Sequence, residues 1–285
     1  MIYLNESKIK ILELLATYKF LTTSQFLRLG VIKHRPNLLN LLKDLRERQR
    51  PLIERIRFPV HAKFGRIQDV YYLTKYGVRF LVEHLNWNLE DIKYPKGTTS
   101  FFFRDYFHRL WTIDFHIEYR LWAESQGYEI LFFHYYFDKI GANRTTKKSL
   151  PRLEALTKIP YNNGENFLLA DAISMFKTPQ RKYLFCLEVY AGKDTKRVIN
   201  QLEKYTLALA EGQPSLKYNF NKGARIYVIL EFQTTLEAVL ERMRENEIFE
   251  EFENYFLFKT VGDMKKNFFY DWKTFKNNLH QFIYT

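Results

Sequence analysis

Asp171 and Glu188 are the acids inside two otherwise apolar runs, FLLADAISMF and YLFCLEVY, which the turn-like KTPQR separates. Taking a carboxylate out of water is costly unless a cation or hydrogen-bond donors compensate it. The apolar runs predict a hairpin of two strands over residues 167–190, followed through AGKDT by a helix ending in QLEKY. Two readings of the acids stand side by side. In one, Asp171 ends a strand segment and Glu188 meets a nearby Lys or Arg as a structural ion pair. In the other, the hairpin brings both carboxylates to one sheet edge, where they hold a hard divalent ion such as Mg2+ for nuclease-like chemistry.

Around these residues the chain resembles the PD-(D/E)XK nuclease superfamily. More narrowly, it resembles the replication-relaxation family of plasmid and mobile-element proteins, which joins an amino-terminal winged helix to such a core. The resemblance covers nearly the whole chain. It places Asp171 at the motif aspartate and Glu188 at the motif acid, with Ala170 where the motif has proline and Tyr190 where it has lysine. A phenol cannot supply the lysine's cation. The resemblance therefore implies either a nuclease-like domain that no longer cleaves, or an endonuclease in which Lys193 or Lys204 reaches back to assist Asp171 and Glu188. It also implies a third metal ligand on the preceding helix, Glu118 or its neighbour Asp114. Magnesium is the one cofactor it suggests.

Several elements must position these groups. Residues 7–18 carry Ile9, Ile11, Leu12, Leu15 and Tyr18 on a helical stripe, and Thr22 with Gln25 forms a capping-box pattern before a second helix that Gly30 stops. Pro36 opens a third helix, with Leu38, Leu39, Leu41, Leu42 and Leu45 expected inward. LIERIRF and DVYYLT then alternate as strands around the tip PVHAKFGRIQ. Three helices and a basic hairpin make a winged helix-turn-helix domain over residues 1–85. Residues 86–100 read as a linker, and residues 101–285 as a mixed-sheet domain with helices on its faces, the α/β or α+β class that a PD-(D/E)XK-like core requires. Its parts include a long aromatic-striped helix from FFFRDYFHRLW, a first strand YEILFFHYYF, and a surface excursion over residues 138–165 where Lys147, Lys148 and Arg152 are further candidate DNA contacts. YFLFKT reads as a short closing strand and NFFYDWKTF as a tail lying on the core.

The formal charge of +12 is unevenly spread: residues 1–98 hold 18 Lys and Arg against 9 Asp and Glu, and the rest 26 against 23. That asymmetry points to a polyanion, here double-stranded DNA, as partner of the first domain. Lys33, Arg35, Asn37, Lys43 and Arg46 on the third helix are the candidates for groove and phosphate contacts, with Lys63 and Arg66 on the wing. Solvated helix faces, or a protein-contact module, are the competing accounts of the same charges. The single cysteine, Cys186, reads as a buried thiol. The start MIYLNESKIKILELL lacks a signal-peptide layout and no apolar run is long enough to span a bilayer, so a cytoplasmic protein is expected. The function expected first is a DNA-binding protein of a plasmid, phage or integrative element, acting in replication initiation, DNA relaxation or transfer, or its regulation. A homodimer is the expected assembly, with other replication or transfer proteins as further partners. A metal-dependent endonuclease and a repressor that dimerises through its second domain are the alternatives.

Overall fold

The computed structural model describes residues 4–62, 64–95, 105–140 and 154–283, with side chains omitted for 139 and 140. The chain divides into two compact units, Met1–Arg109 and Leu110–Thr285. Both mix helices with sheet. Among the described residues no helix is long and apolar enough to cross a membrane.

The first unit opens with α1 (Glu6–Tyr18), whose N-cap Asn5 accepts the Lys8 N–H and whose inner face buries Ile11, Leu12, Leu15 and Tyr18. After β1 (Leu21–Thr22), the expected capping box starts α2 (Thr23–Arg28): the Thr22 hydroxyl accepts the Gln25 N–H, and the Gln25 side chain accepts the Thr22 N–H at 2.9 Å. Pro36 sits in the first turn of α3 (Arg35–Arg46), where its missing N–H is harmless. Leu38, Leu42 and Leu45 are buried, but Leu41 is half-buried and Leu39 is 41% exposed. The expectation of five inward leucines is thereby corrected: at 100° per residue, consecutive leucines cannot all share one face.

β2 (Ile53–Ile56) and β5 (Val70–Leu73) pair antiparallel, and β1 joins β5 on its other side. Between them β3 (Val60–His61) and β4 (Gly65–Arg66) extend the hairpin tip. The chain then enters α4 (Lys75–Leu85). Its Gly77 packs so closely that a Cβ there would come within 2.1 Å of the Leu52 carbonyl, so only glycine fits. Residues 86–95, expected to begin a linker, instead pack into this unit: Ile92 is buried and the Lys93 N–H donates to the Ala16 carbonyl at 2.8 Å.

The second unit is built on a seven-stranded mixed sheet. The long α5 (Tyr106–Ser125), which crosses the division between the units, leads to β6 (Glu129–Tyr135). Two small ribbons follow, β7 (Lys139–Ile140) with β8 (Glu154–Ala155), and β9 (Lys158–Tyr161) with β10 (Asn166–Leu169). The described end of the expected excursion is thus paired strand, with Ile159 fully buried. Lys147, Lys148 and Arg152 lie outside the described residues. Then come β11 (Ala172–Lys177), β12 (Lys182–Tyr190), α6 (Thr195–Ala210), β13 (Arg225–Leu230), α7 (Gln233–Arg244), β14 (Phe256–Thr260), α8 (Val261–Lys266), β15 (Trp272–Lys273) and β16 (Leu279–His280). The order is β16-β15-β14-β13-β12-β11-β6, with β12, β13 and β14 parallel. Each parallel step needs a crossover, which α6 and α7 supply. β14 is therefore interior, and the closing strands are β15 and β16.

Alternation along the strands sorts the core into two layers. Ile173, Met175, Leu184, Cys186, Ile226 and Val228 join Leu202, Tyr205, Val239 and Leu240 of α6 and α7. The opposite face carries Phe176, Phe185 and Tyr227, packed against Phe115 and Tyr119 of α5 and against Phe282 of the carboxy-terminal tail. The tail does lie on the core, as Trp272, Phe275 and Phe282 are buried.

Lys259 fixes that tail. Its side chain on β14 donates to the Asn267, Phe268 and Tyr270 carbonyls and lies over the Trp272 ring. Burial lowers its ammonium to about 8 from 10.5, despite the carbonyl cage. Between those two values the unfolded chain binds more protons than the folded one, so stability should rise as pH climbs through that window. Chemical denaturation across that range should show the midpoint rising in the parent protein and a flatter profile in Lys259→Met.

Candidate functional site

The two acids singled out by sequence do meet. The register of β11 with β12 ends with Ala172 opposite Leu187, and just beyond it Asp171 lies close enough for its charge to act on Glu188, which stands on the sheet face that carries Cys186. That face is the one covered by α6. Asp171 is 6% exposed and Glu188 4%.

The run FLLADAISMF is not one strand, contrary to expectation. It splits at Asp171 into β10, which belongs to the ribbon with β9, and β11, which belongs to the large sheet. Phe167 and Leu169 are consequently exposed. Asp171 makes the break stable: its N–H donates to the Leu187 carbonyl at 3.0 Å, and its Oδ2 accepts the Val189 N–H at 2.7 Å. A side chain thus continues the ladder where the backbone leaves it, satisfying a donor that burial would otherwise strand.

Glu188 finds a different partner from the Lys or Arg expected for it. Its Oε1 accepts the Tyr205 hydroxyl at 2.6 Å, and it forms no ion pair among the described residues. Burial first, then the nearby Asp171 carboxylate, push the Glu188 carboxyl well above its ordinary 4.5, while the side chains of Tyr205, Tyr190 and Gln201 work against that rise. The same strand places Tyr190 two residues on, on the same face. Burial and then the Glu188 and Asp171 charges raise its phenol well above 10. The Tyr190 hydroxyl lies beside Glu188 and, like Tyr205, works against the rise of its carboxyl, although no group meets it at full hydrogen-bond geometry. Cys186, buried one turn of the pleat earlier, is likewise pushed up by burial and by Glu188.

The other candidates lie elsewhere. Lys193 is exposed, with its Nζ 5.5 Å from the centre of the Phe232 ring, and Lys204 is exposed on α6. Asp114 is held by Lys265 at 2.5 Å. Asp114 and Glu118 both belong to α5, whose aromatic side chains cover the opposite face of the sheet from Glu188. Among the described residues no three His, Cys, Asp or Glu side chains converge as a metal site would need. The donor set also fits magnesium poorly. Magnesium favours octahedral oxygen ligands that retain several waters, whereas here one carboxylate caps a backbone N–H and the other is buried under a tyrosine.

Sequence reasoning missed Tyr205, Gln201 and Arg197, which follow one another at four-residue spacing along α6. Arg197 is the cation whose charge reaches Tyr190. The signal was present in the polar stripe of RVINQLEKY, but only the packing of α6 on β12 shows what it faces.

In the first unit Lys33, Arg35, Asn37 and Lys43 are exposed around α3, and Arg66 is exposed at the hairpin tip. Lys63 lies outside the described residues. Lys43 stands 3.8 Å from Glu47 in an exposed pair, while half-buried Arg46 pairs with Glu47 at 3.1 Å. Lys33, Arg35 and Arg66 form no ion pair among the described residues. Asn40, also exposed, lies opposite Leu38 and Leu42 at the centre of the outer face of α3 and was not among the sequence candidates.

No family model, curated protein or solved structure matches this chain.

Because the folded Glu188 titrates above its unfolded value, its stabilising contribution is complete below about 4.5 and is lost as pH rises toward the folded value. Urea melts across this range should show Glu188→Gln losing less stability with rising pH than the parent. Asp171→Ala should cost about 1–3 kcal/mol, by stranding the Val189 N–H.

Proposed function

We propose that this is a DNA-binding protein whose first unit is a winged helix and whose second is a nuclease-like scaffold without cleavage activity. The observation that carries the reading is the set of exposed side chains on and before α3, Lys33, Arg35, Asn37 and Lys43, in the unit that holds most of the excess positive charge. In this reading α3 enters the major groove and the hairpin bearing Arg66 follows the adjacent backbone. Arg35, Asn37 and Asn40 read base edges, whereas Lys33 and Lys43 neutralise phosphates. The order α1, β1, α2, α3, then a β2–β5 hairpin supports the winged-helix assignment.

The scaffold reading is supported by how the acids are used. Asp171 and Glu188 keep the positions that a metal-dependent nuclease needs, but they are engaged in holding β11, β12 and α6 together, and a phenol stands where a lysine is required. The resemblance to plasmid and mobile-element proteins favours a role in initiating replication, in relaxing or transferring DNA, or in regulating those steps. A homodimer reading a symmetric site fits the winged-helix assignment.

Affinity for duplex DNA should fall steeply with salt, and replacing Lys33, Arg35 and Lys43 together by Ala should reduce the log–log salt slope by about 0.9 for each phosphate that is no longer neutralised. Fluorescence anisotropy with a labelled duplex measures this, and an unchanged slope would remove the assignment of α3. Incubation with supercoiled plasmid and Mg2+ or Mn2+ should leave the topology intact. Nicking that disappears in Asp171→Ala would overturn the scaffold reading in favour of an endonuclease.

A further inference from the structure

The charges of the second unit nearly cancel in sum but are sorted in space. Its acids gather on α7 and on the helical turns Glu247–Tyr255, where Glu241, Glu245, Glu247, Glu250 and Glu251 are exposed. Its α6 carries the opposite sign. Val198, Leu202 and Tyr205 fix the buried side of that helix, so at 100° per residue Lys196, Arg197, Asn200 and Lys204 fall on the outer side, and all four are exposed.

The cations of this stripe have no competing partner. Among the described residues the side chains of Lys196, Arg197 and Lys204 enter no ion pair or hydrogen bond. The acids of the same helix are engaged: Asp194 accepts the Arg197 N–H, Glu203 the Asn246 amide and Glu211 the Asn163 N–H, each at 3.0 Å. Lys193, ahead of the helix, stands against the Phe232 ring and is not counted with the stripe. Nor does folding account for the order of charge. Lys196 and Arg197 occupy the first turn, which holds no acid, and the last turn holds no base. The peptide dipoles make the first turn positive, so these cations oppose the helix they sit on. Placement against local stability is what a surface kept for a partner shows.

From Arg197 to Lys204 is seven residues, about 10 Å along the helix axis. A duplex carries one phosphate charge per about 1.7 Å of its own axis, so that length faces roughly six of them. Protein interfaces have an apolar centre depleted of charge. Between Lys196 and Lys204 no apolar side chain is exposed, which favours a phosphate backbone over an acidic protein.

We propose that the outer face of α6 is a second duplex-DNA contact, with Lys196, Arg197 and Lys204 on backbone phosphates and Asn200 donating to a phosphate or sugar oxygen between them. It carries no sequence information, and the acids of α7 and the turns after it repel a backbone that strays from α6. The contact rests on the DNA-binding reading for its ligand but not on α3.

The test is acetylation of surface lysines in the full chain by an amine-reactive ester, with and without a duplex of about 40 base pairs, roughly 140 Å long, read peptide by peptide by mass spectrometry. Labelling of Lys196 and Lys204 should fall about threefold or more with DNA, while Lys276, paired with Glu253, stays as reactive as before. Replacing Lys196, Arg197 and Lys204 together by Gln should lower the log–log salt slope by about 0.9 per phosphate lost, up to about 2.7, and should add to the loss from the α3 substitutions. Thermal melts no lower than those of the parent establish that this variant is folded. An unchanged slope, equal protection of Lys276, or protection by poly-L-glutamate as strong as by DNA at the same charge concentration would overturn the proposal, the last assigning the face to an acidic protein. Duplex binding with a steep salt dependence that leaves Lys196 and Lys204 unprotected removes this contact and leaves α3 standing, whereas no binding at low salt removes both.

Discussion

Two carboxylates lie close together inside the second unit, and the surrounding architecture is what makes that tolerable. Neither acid could be buried alone without a large loss of hydration energy. Asp171 answers the problem with backbone: it accepts the Val189 N–H at the point where β10 leaves and β11 begins. Glu188 answers it with a side chain, the Tyr205 hydroxyl delivered by α6. The strand break, the register of β11 with β12 and the rotation of α6 about its axis all meet at this pair.

The same arrangement ties the two acids into the packing of the sheet. Asp171 and Glu188 are both buried where α6 covers the sheet. Their mutual repulsion is relieved here by raising the Glu188 carboxyl, so that it favours its uncharged form. Tyr190 adds a buried hydroxyl beside Glu188. The polar cluster is a buried network that specifies how α6 docks.

The two units differ in charge. The first places its small core of Ile11, Leu15, Leu38, Leu42 and Leu45 beneath α1 and α3, leaving the outer face of α3 to Asn37, Asn40 and Lys43. The second holds nearly balanced charge and builds its stability from apolar and aromatic layers on both faces of the sheet, where Phe115, Tyr119, Phe185, Tyr227 and Phe282 form one continuous cluster.

Local chemistry was legible in the sequence wherever neighbours along the chain decide it. Thr22 and Gln25 cap α2 because a hydroxyl and an amide three residues apart satisfy each other's backbone donors, and Pro36 opens α3 because its fixed φ suits a first turn. The hairpin carrying Asp171 and Glu188, the buried Cys186 and the basic bias of the first unit were readable on the same grounds. Leu39 departs from its expected place because helical rotation, and not hydrophobicity, selects which leucines turn inward. Tertiary structure alone decided that FLLADAISMF is shared between two sheets, that Glu188 meets Tyr205 instead of a lysine, and that Asp114 belongs to Lys265. Each of these depends on which surface a distant segment presents after folding, and the physical interactions that set it act across space rather than along the chain.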